Sequence, residues 1–238
     1  MNTFYILLVT LLVVFTISNV ALAQSESKRP PIDKMRPDNL NTATFAMGCF
    51  WGPDVVFGGI EGVWKTRVGY AGGDKDNPTY HNLGGHTETI QVEYDPKQIS
   101  YRELLEVFFD NHNPYVKPYS TQYKSIVFYH NDKQKEAYQE YVAKLKENRT
   151  LYTELKPYEN FYYAEFYHQK YQLQGFSKLM KAVEKYYPKD MDFINSTLTA
   201  RLNYYVGARK GLELLEKEKE LYGLDEETIT WLKSFIKE

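Results

Sequence analysis

The only cysteine of the chain lies in a short glycine-flanked segment that could hold a reactive thiol. The segment reads Met47-Gly48-Cys49-Phe50-Trp51-Gly52-Pro53, and the 238-residue sequence contains no other cysteine. A strand is predicted to end before this segment and a helix to begin within it, because Pro53 suits a first helical turn. Free N–H groups at a helix N-terminus favour a thiolate, so Cys49 is a candidate nucleophile. A buried, inert cysteine is the alternative that the count alone leaves open.

Two large aromatic side chains follow the cysteine. Phe50 and Trp51 could form a wall that holds a small apolar group, such as a methyl, against the sulfur. Both rings could instead be core residues. The flanking glycines favour the site interpretation for the pair, whereas Phe50 alone would suit a core.

A second candidate group is a carboxyl at the end of an apolar strand face. Alternate side chains of a strand point the same way, so Glu88 shares a face with three apolar residues. These are Ile90, Val92 and Tyr94. Burial there would raise the pKa of the carboxyl and make it a proton donor near neutral pH. The alternative is a strand-end carboxylate that turns into solvent.

Nearby histidines and tyrosines are less specific signals. His81 and His86 lie at mixed loop spacing without a partner set of carboxylates or thiolates, so no metal site is predicted. Tyr123 opens a predicted strand and could project its phenol into the same cleft, but composition does not single it out among 22 tyrosines. The aromatic run at 161–171 is more typical of core or rim.

The elements that must position these residues alternate between strands and helices. Strands are predicted at Thr42–Ala46, Val63–Tyr70, Glu88–Tyr94 and Tyr123–Tyr129. Helices are predicted from about Pro53 to Ile60, after Ser100, and from Asp132 to about Lys146. Ser100 and Glu103 form a capping box. The order β-α-β-β-α-β-α predicts an α+β fold, a two-layer sandwich with a mostly antiparallel sheet.

Three regions surround or form this fold. Residues 24–41 are polar and proline-bearing and are predicted to be an extended linker. The candidate groups fall in a predicted domain at 42–174. Residues 175–238 are predicted to be a helical extension packed on that domain, with amphipathic patterns at Leu212–Tyr222 and Glu226–Phe235.

The bulk composition narrows the class of protein. The chain is 43% hydrophobic and carries a formal net charge of −2, which is ordinary for a globular domain and gives no electrostatic basis for a nucleic-acid partner. We expect a monomer.

The N-terminus has the pattern of a secretory signal peptide, predicted over residues 1–23. An apolar run at 4–17 precedes Ala21-Leu22-Ala23, which predicts cleavage before Gln24. We expect a secreted protein or one of the secretory pathway, which in a bacterium is the periplasm. Since the positive n-region is missing, an uncleaved anchor is the alternative, although the run is shorter than the ~20 residues that span a bilayer.

Export bears on the cysteine. N-glycosylation acceptors at Asn148 and Asn195 agree with an export route. A secreted chain of this size normally uses disulfides, so an unpaired thiol in an oxidising compartment is a candidate reactive group.

Eight short motifs follow one another along the chain. In chain order they are Gly48-Cys49-Phe50-Trp51-Gly52, Gly69-Tyr70-Ala71-Gly72-Gly73, Asn77-Pro78-Thr79-Tyr80, Gly85-His86-Thr87-Glu88, Tyr94-Asp95-Pro96, Thr121-Gln122-Tyr123, Tyr163-Ala164-Glu165 and His168-Gln169. Together they resemble the type A peptide methionine sulfoxide reductases, and the resemblance covers roughly Thr42 to Tyr171 and extends more weakly through 199–203. The chain is similar to a single-cysteine variant of that family. The resemblance implies a ferredoxin-like sandwich fold.

The resemblance implies a role for each candidate residue. Cys49 would attack the sulfoxide sulfur while Glu88 donates a proton to the sulfoxide oxygen. Tyr80 and Tyr123 would assist with hydrogen bonds, and the two aromatic residues after the cysteine would hold the substrate methyl. The step releases methionine and leaves a sulfenic acid on the cysteine. The family acts on the S epimer, free or within peptides, and uses no metal or organic cofactor.

The chain departs from the family pattern in three places. Many members carry resolving cysteines in a C-terminal tail, whereas segment 175–238 here is cysteine-free. Thioredoxin, glutaredoxin, glutathione or another free thiol must therefore reduce the sulfenic acid directly. Pro118 stands where many members have an aspartate, so a polar contact to the substrate is absent or supplied elsewhere. The loop between Tyr80 and Glu88 is short, which makes the placing of Tyr80 less secure.

The partners of a reductase would be oxidised proteins or peptides. Two other functions are alternatives to the reductase. One is a non-catalytic protein that binds oxidised methionine, which the missing aspartate and the compartment motivate. The other is a thiol peroxidase that uses Cys49 on peroxide. The presence of all the matched residues disfavours the first alternative, and the Phe-Trp pair disfavours the second.

Overall fold

The computed structural model describes residues 29–145 and 148–236, so the predicted signal peptide lies outside the described residues. The strands are β1 (Asn41–Met47), β2 (Val63–Ala71), β3 (Thr87–Tyr94), β4 (Ser125–Tyr129), β5 (Glu154–Pro157) and β6 (Phe161–Tyr163). The helices are α1 (Pro31–Lys34), α2 (Trp51–Gly58), α3 (Tyr101–Asp110), α4 (Asp132–Lys144), α5 (Tyr171–Gln174), α6 (Ser177–Glu184), α7 (Asp190–Ile194), α8 (Thr197–Ala208), α9 (Leu212–Glu218) and α10 (Glu226–Phe235). The described residues include no helix long and apolar enough to span a bilayer.

The strands form one six-stranded sheet in the order β5-β4-β1-β3-β2-β6. β1 is central and pairs antiparallel with β3 and β4, and β2 pairs antiparallel with β3 and β6. β5 joins β4 in parallel. The mixed sheet and its surrounding helices confirm the α+β prediction.

One face of the sheet carries the main core. Phe45 of β1 packs against Phe57 of α2 and Phe108 of α3, with ring centroids 5.5 and 5.2 Å apart. Ile90 and Val92 of β3 belong to the same buried cluster, so this face is the one that α2 covers. Side chains on this face, at the end of β1 and the start of β3, therefore lie beside the start of α2.

Several sequence-predicted elements differ in detail from the observed ones. The capping box at Ser100 is present, because the Ser100 hydroxyl accepts from the Glu103 N–H while the Glu103 carboxylate accepts from the Ser100 N–H. The strand predicted from Tyr123 is wrong at its start, since Tyr123 lies in a 3₁₀ turn and β4 begins at Ser125. The reason is the partner strand: Ser125 pairs with Met47, the last residue of β1, so earlier residues have no ladder to join.

The described part of the predicted linker is not extended throughout. Its helix α1 buries Ile32, and Asp33 is half-buried. The Asp33 carboxylate accepts the Thr197 N–H at 2.7 Å and the Tyr187 hydroxyl at 2.8 Å, so it binds the N-terminus of α8. Pro31 at the first helical position suits the start of a helix, so this part of the segment forms a helical turn rather than an extended chain.

The C-terminal helices form a second buried cluster that touches α2. Arg201 of α8 donates to the Gly58 carbonyl at 2.7 Å, at the end of α2. A Cβ at Gly58 would lie 2.6 Å from the Ala200 carbonyl oxygen, so this close approach requires glycine. The predicted boundaries at 42–174 and 175–238 remain predictions.

A buried ion pair links α2 to the segment before α5. The Lys170 side chain is fully buried, and its Nζ lies 2.9 Å from Asp54 Oδ1 and 2.6 Å from the Thr66 carbonyl. The second Asp54 oxygen accepts the Lys170 N–H at 2.9 Å. Each of the two buried charges is therefore neutralised by the other.

We expect Lys170→Met to lower the free energy of unfolding by about 3–5 kcal/mol, because it leaves the Asp54 charge buried without its cation. Urea unfolding measures the loss. The matched control is Lys217→Met, which breaks the exposed pair with Glu61 and should leave the free energy of unfolding nearly unchanged, because solvent screens exposed charges. Equal losses in the two variants would contradict the importance of the buried pair.

Candidate active site

Cys49 lies in the turn that joins β1 to α2. Gly48 adopts φ +86°, a left-handed conformation that ends the strand and that other residues rarely adopt. Phe50 is the N-cap residue and Pro53 lies in the first turn of the helix. Cys49 is therefore one residue before the N-cap, and its side chain is exposed, so the alternative of a buried cysteine is wrong.

The electrostatic environment of Cys49 differs from the expectation of a stabilised thiolate. Although the side chain is exposed, the surrounding protein withdraws its sulfur from water, which raises the pKa of the thiol. The Trp51 N–H bonds to the sulfur and opposes this rise, while the nearby negative charge of Glu88 adds to it. The helix N-terminus acts as predicted, but its effect on the pKa is outweighed.

Glu88 is buried beside this turn, at 1% exposure. Its Oε2 accepts the Phe50 N–H at 3.0 Å, and its Oε1 accepts from Gln122 Nε2 at 2.7 Å. Burial raises the pKa of the carboxyl, and the two hydrogen bonds partly oppose the rise. The alternation in β3 thus placed Glu88 correctly on the face that α2 covers, and the solvent-exposed alternative is wrong.

The two predicted tyrosines meet in the same place. The side chains of Tyr80 and Tyr123 share a hydrogen bond. Burial, that hydrogen bond and the charge of Glu88 all raise the pKa of Tyr123, so its phenol keeps its proton. The short loop between Tyr80 and Glu88 therefore still brings Tyr80 to the cluster.

The two aromatic residues after the cysteine differ in burial. Phe50 is buried in the main core, with its ring 6.0 Å from Tyr70. Trp51 is half-buried and stacks on Tyr171 at 3.7 Å between centroids, with the planes 5° apart. The core interpretation thus describes the packing of Phe50, while Trp51 keeps a surface on the side of the turn.

Sequence reasoning missed the residues that hold this cluster from behind. Glu165 accepts the Tyr80 N–H at 3.0 Å and the Tyr70 hydroxyl at 2.7 Å, and these hydrogen bonds lower its pKa against the effect of burial. His168 Nδ1 accepts from the Trp51 indole at 3.2 Å. Both lie in the aromatic run interpreted as core or rim. They also belong to two of the motifs that carry the resemblance, which was the signal that could have found them.

Two histidines raised the question of a metal, and the ring of one of them, His81, contacts the ring of Tyr80 with 5.4 Å between the centroids. His86 Nδ1 accepts the Gly73 N–H at 3.1 Å, and its Nε2 lies 2.9 Å from the Lys75 carbonyl. Both ring nitrogens are thus committed to backbone groups. Among the described residues, no cluster of three or more His, Cys, Asp or Glu side chains could hold a metal ion.

Replacing Glu88 with glutamine should lower the pKa of Cys49, because the neutral amide removes a negative charge that disfavours the thiolate. The pH dependence of iodoacetamide alkylation measures this pKa, and mass spectrometry confirms the single labelled site. Glu106→Gln, an exposed change of the same kind in α3, is the control. An unchanged alkylation profile in Glu88→Gln would contradict the coupling.

One turn brings together an exposed thiol, a buried carboxyl and two phenols. These are the groups of a thiol-dependent enzyme with its own proton donors. The model of the family described as peptide methionine sulfoxide reductase matches residues 41–200. The chain belongs to this family, whose enzymes are oxidoreductases that act on methionine sulfoxide.

Individual relatives agree with the family assignment. A Drosophila melanogaster peptide methionine sulfoxide reductase is 38% identical over 216 residues, which cover 87% of this chain and 86% of that relative. MsrA of Methanosarcina acetivorans is 41% identical over 56% of this chain and 78% of its own length. The crystal structure of reduced Mxr1 from Saccharomyces cerevisiae is similar, with a TM-score of 0.51, 32% identity, and coverage of 58% of this chain and 87% of that one.

Proposed function

We propose that the protein reduces the S epimer of methionine sulfoxide, in peptides and proteins and as the free amino acid. The observation that carries the proposal is the hydrogen bond from the Phe50 N–H to Glu88, which holds a buried carboxyl beside the turn that bears Cys49. The raised pKa of this carboxyl favours the protonated form that a proton donor needs.

In the first half-reaction the Cys49 sulfur attacks the sulfoxide sulfur as Glu88 protonates the sulfoxide oxygen. Tyr80 and Tyr123 donate hydrogen bonds to that oxygen, where negative charge develops. The oxygen is transferred to Cys49, so one thiol and one sulfoxide give one sulfenic acid and one methionine, and atoms and electrons balance. Trp51 provides the apolar surface for the substrate methyl, and Phe50 packs in the core behind the turn.

The second half-reaction requires a thiol from outside the chain. An external thiol attacks the sulfenic acid, releases water and forms a mixed disulfide, which a second thiol resolves. The chain has one cysteine, so it forms no internal disulfide. Thioredoxin, glutaredoxin and glutathione are the proposed reductants.

We also propose that β1–β4 with α2 and α3 form a ferredoxin-like core. Its support is the β-α-β-β-α-β order together with the sheet order β4-β1-β3-β2.

We propose that the protein is a monomer. We also propose that it is exported through the secretory pathway, which the N-terminal pattern at 1–23 supports. Sequencing the N-terminus of the exported protein tests it, and the expected first residue is Gln24.

The decisive assay uses the protein, a racemic methionine sulfoxide peptide and dithiothreitol. Half of the sulfoxide should be consumed, and chiral chromatography should show that only the S epimer is lost. Loss of both epimers would contradict the proposed specificity. Binding without turnover would support the binding-protein alternative, and peroxide consumption without sulfoxide loss would support the peroxidase.

A further inference from the structure

His168 lies behind the aromatic wall and contacts three of the site residues. Its ring is 2% exposed. The ring centroid is 5.1 Å from Phe50, 5.8 Å from Trp51 and 4.6 Å from Tyr80. The mechanism proposed above does not use this histidine.

The hydrogen bond to Trp51 fixes the protonation state of His168. An indole Nε1–H is only a donor, so His168 Nδ1 must present its lone pair at 3.2 Å and the proton must sit on Nε2. The imidazolium form donates from both nitrogens and could not accept this bond. Burial lowers the pKa of His168, in agreement with a neutral ring.

The two partners of Trp51 constrain different motions of its indole. Stacking on Tyr171, with planes 5° apart, fixes the plane of the ring but leaves rotation within that plane. The hydrogen bond from Nε1 to His168 fixes that rotation. Together they hold the indole in one orientation at the first position of α2, two residues after Cys49.

Stability alone does not account for a histidine here. Its buried Nε2 has no hydrogen-bond partner within the described ranges, and an unpaired buried N–H costs free energy. A hydrocarbon side chain of similar size would avoid that cost. The group that benefits from the histidine is the Trp51 indole, whose N–H would otherwise lack its acceptor.

We propose that His168 is a positioning residue: its neutral ring, through Nδ1, holds the Trp51 indole in the orientation that receives the substrate methyl against Cys49. This role rests on the proposed function. It predicts that removal of the acceptor disturbs sulfoxide turnover more than it disturbs the reactivity of the thiol itself.

The first test compares His168→Leu with His168→Asn. Leucine removes the acceptor, and we expect kcat/KM for a sulfoxide peptide to fall by about 10- to 100-fold, as misplacement of a substrate-holding group does. Asparagine places its Oδ1 near the position of Nδ1 and should restore most of the activity. The rate of Cys49 alkylation should stay unchanged in both variants, which separates misplacement of Trp51 from damage to the turn.

A double-mutant cycle identifies the partner through which His168 acts. In a Trp51→Phe background no indole N–H needs an acceptor, so His168→Leu should add little to the loss that Trp51→Phe causes alone. Additive losses would overturn the proposal, and so would an asparagine variant as impaired as the leucine variant. If His168→Leu does not fold by circular dichroism, His168→Gln replaces it, since glutamine keeps a polar group but moves the acceptor away from the Nδ1 position.

Fluorescence gives a readout that does not depend on catalysis. The chain has three tryptophans, so a Trp64→Phe, Trp231→Phe protein reports on Trp51 alone. His168→Leu should shift the emission and increase acrylamide quenching, and His168→Asn should leave both near the parent values. Unchanged fluorescence in the leucine variant would overturn the positioning role even in an active enzyme. A shift in a protein that reduces no sulfoxide would instead place the failure in the proposed function.

Discussion

Cys49→Ser should abolish methionine sulfoxide reduction, with a loss of at least about 10⁴-fold, as is typical when a catalytic nucleophile is removed. The serine hydroxyl is a far weaker nucleophile than a thiolate, and the chain holds no second thiol that could substitute. Conversion of a methionine sulfoxide peptide to the methionine peptide, measured by chromatography, checks the result. Because the side chain is exposed, the variant should unfold at the same temperature as the wild type.

The single cysteine also limits how much sulfoxide the protein can reduce without an added thiol. The wild-type protein should then form one methionine per chain and stop. Cys49 should gain one oxygen atom and become a sulfenic acid, which dimedone traps. Cys49→Ser should show neither the burst nor the adduct. A burst of two equivalents, or a burst that survives in the serine variant, would remove Cys49 from its assigned role.

Local signals in the sequence predicted the elements that carry the chemistry. The capping box at Ser100 starts a helix, and period-two alternation in β3 places Glu88 on the same face as Ile90 and Val92, because both rules act between residues close in the chain. The glycine before Cys49 was expected to allow a tight turn, and it adopts a left-handed conformation. These features follow from backbone geometry alone.

Contacts between distant segments were not accessible to the same reasoning. Gln122 reaches Glu88 across 34 residues, and His168 reaches Trp51 across 117. Nothing in either local sequence states which partner the side chain will find. The fold decides this, since the sheet order brings β6 and the turn after it alongside β2, where Glu165 meets Tyr70.

The expectation for the Cys49 thiol failed for a related reason. Its position at the start of α2 predicted a lowered pKa, and the Trp51 N–H does act in that direction. Withdrawal of the sulfur from water and the charge of Glu88 come from the rest of the fold and outweigh it. Glu88, the proposed proton donor, thus also favours the protonated form of the Cys49 thiol.

Glu88→Gln should lower sulfoxide turnover by about 10²- to 10⁴-fold, the range that a positioned general acid contributes. Glutamine keeps the shape and can still accept the Phe50 N–H, but it has no proton to give. The alkaline limb of the kcat/KM profile that reports ionisation of Glu88 should vanish, because the donor is lost as pH rises through its raised pKa. Stopped-time assays over a pH series measure both effects, with Glu106→Gln as the carboxyl-to-amide control.

The same substitution should leave the protein as stable as the wild type or more stable near neutral pH. A carboxyl whose folded pKa is raised stabilises the fold below its unfolded pKa, and that stability is lost as pH rises through the folded pKa. The amide never ionises, so it avoids the cost of burying a carboxylate at neutral pH. Urea unfolding at several pH values tests this, with the difference between variant and wild type growing as pH rises. Reduced turnover with unchanged or greater stability identifies a proton donor, whereas reduced turnover with reduced stability would identify Glu88 as a structural group.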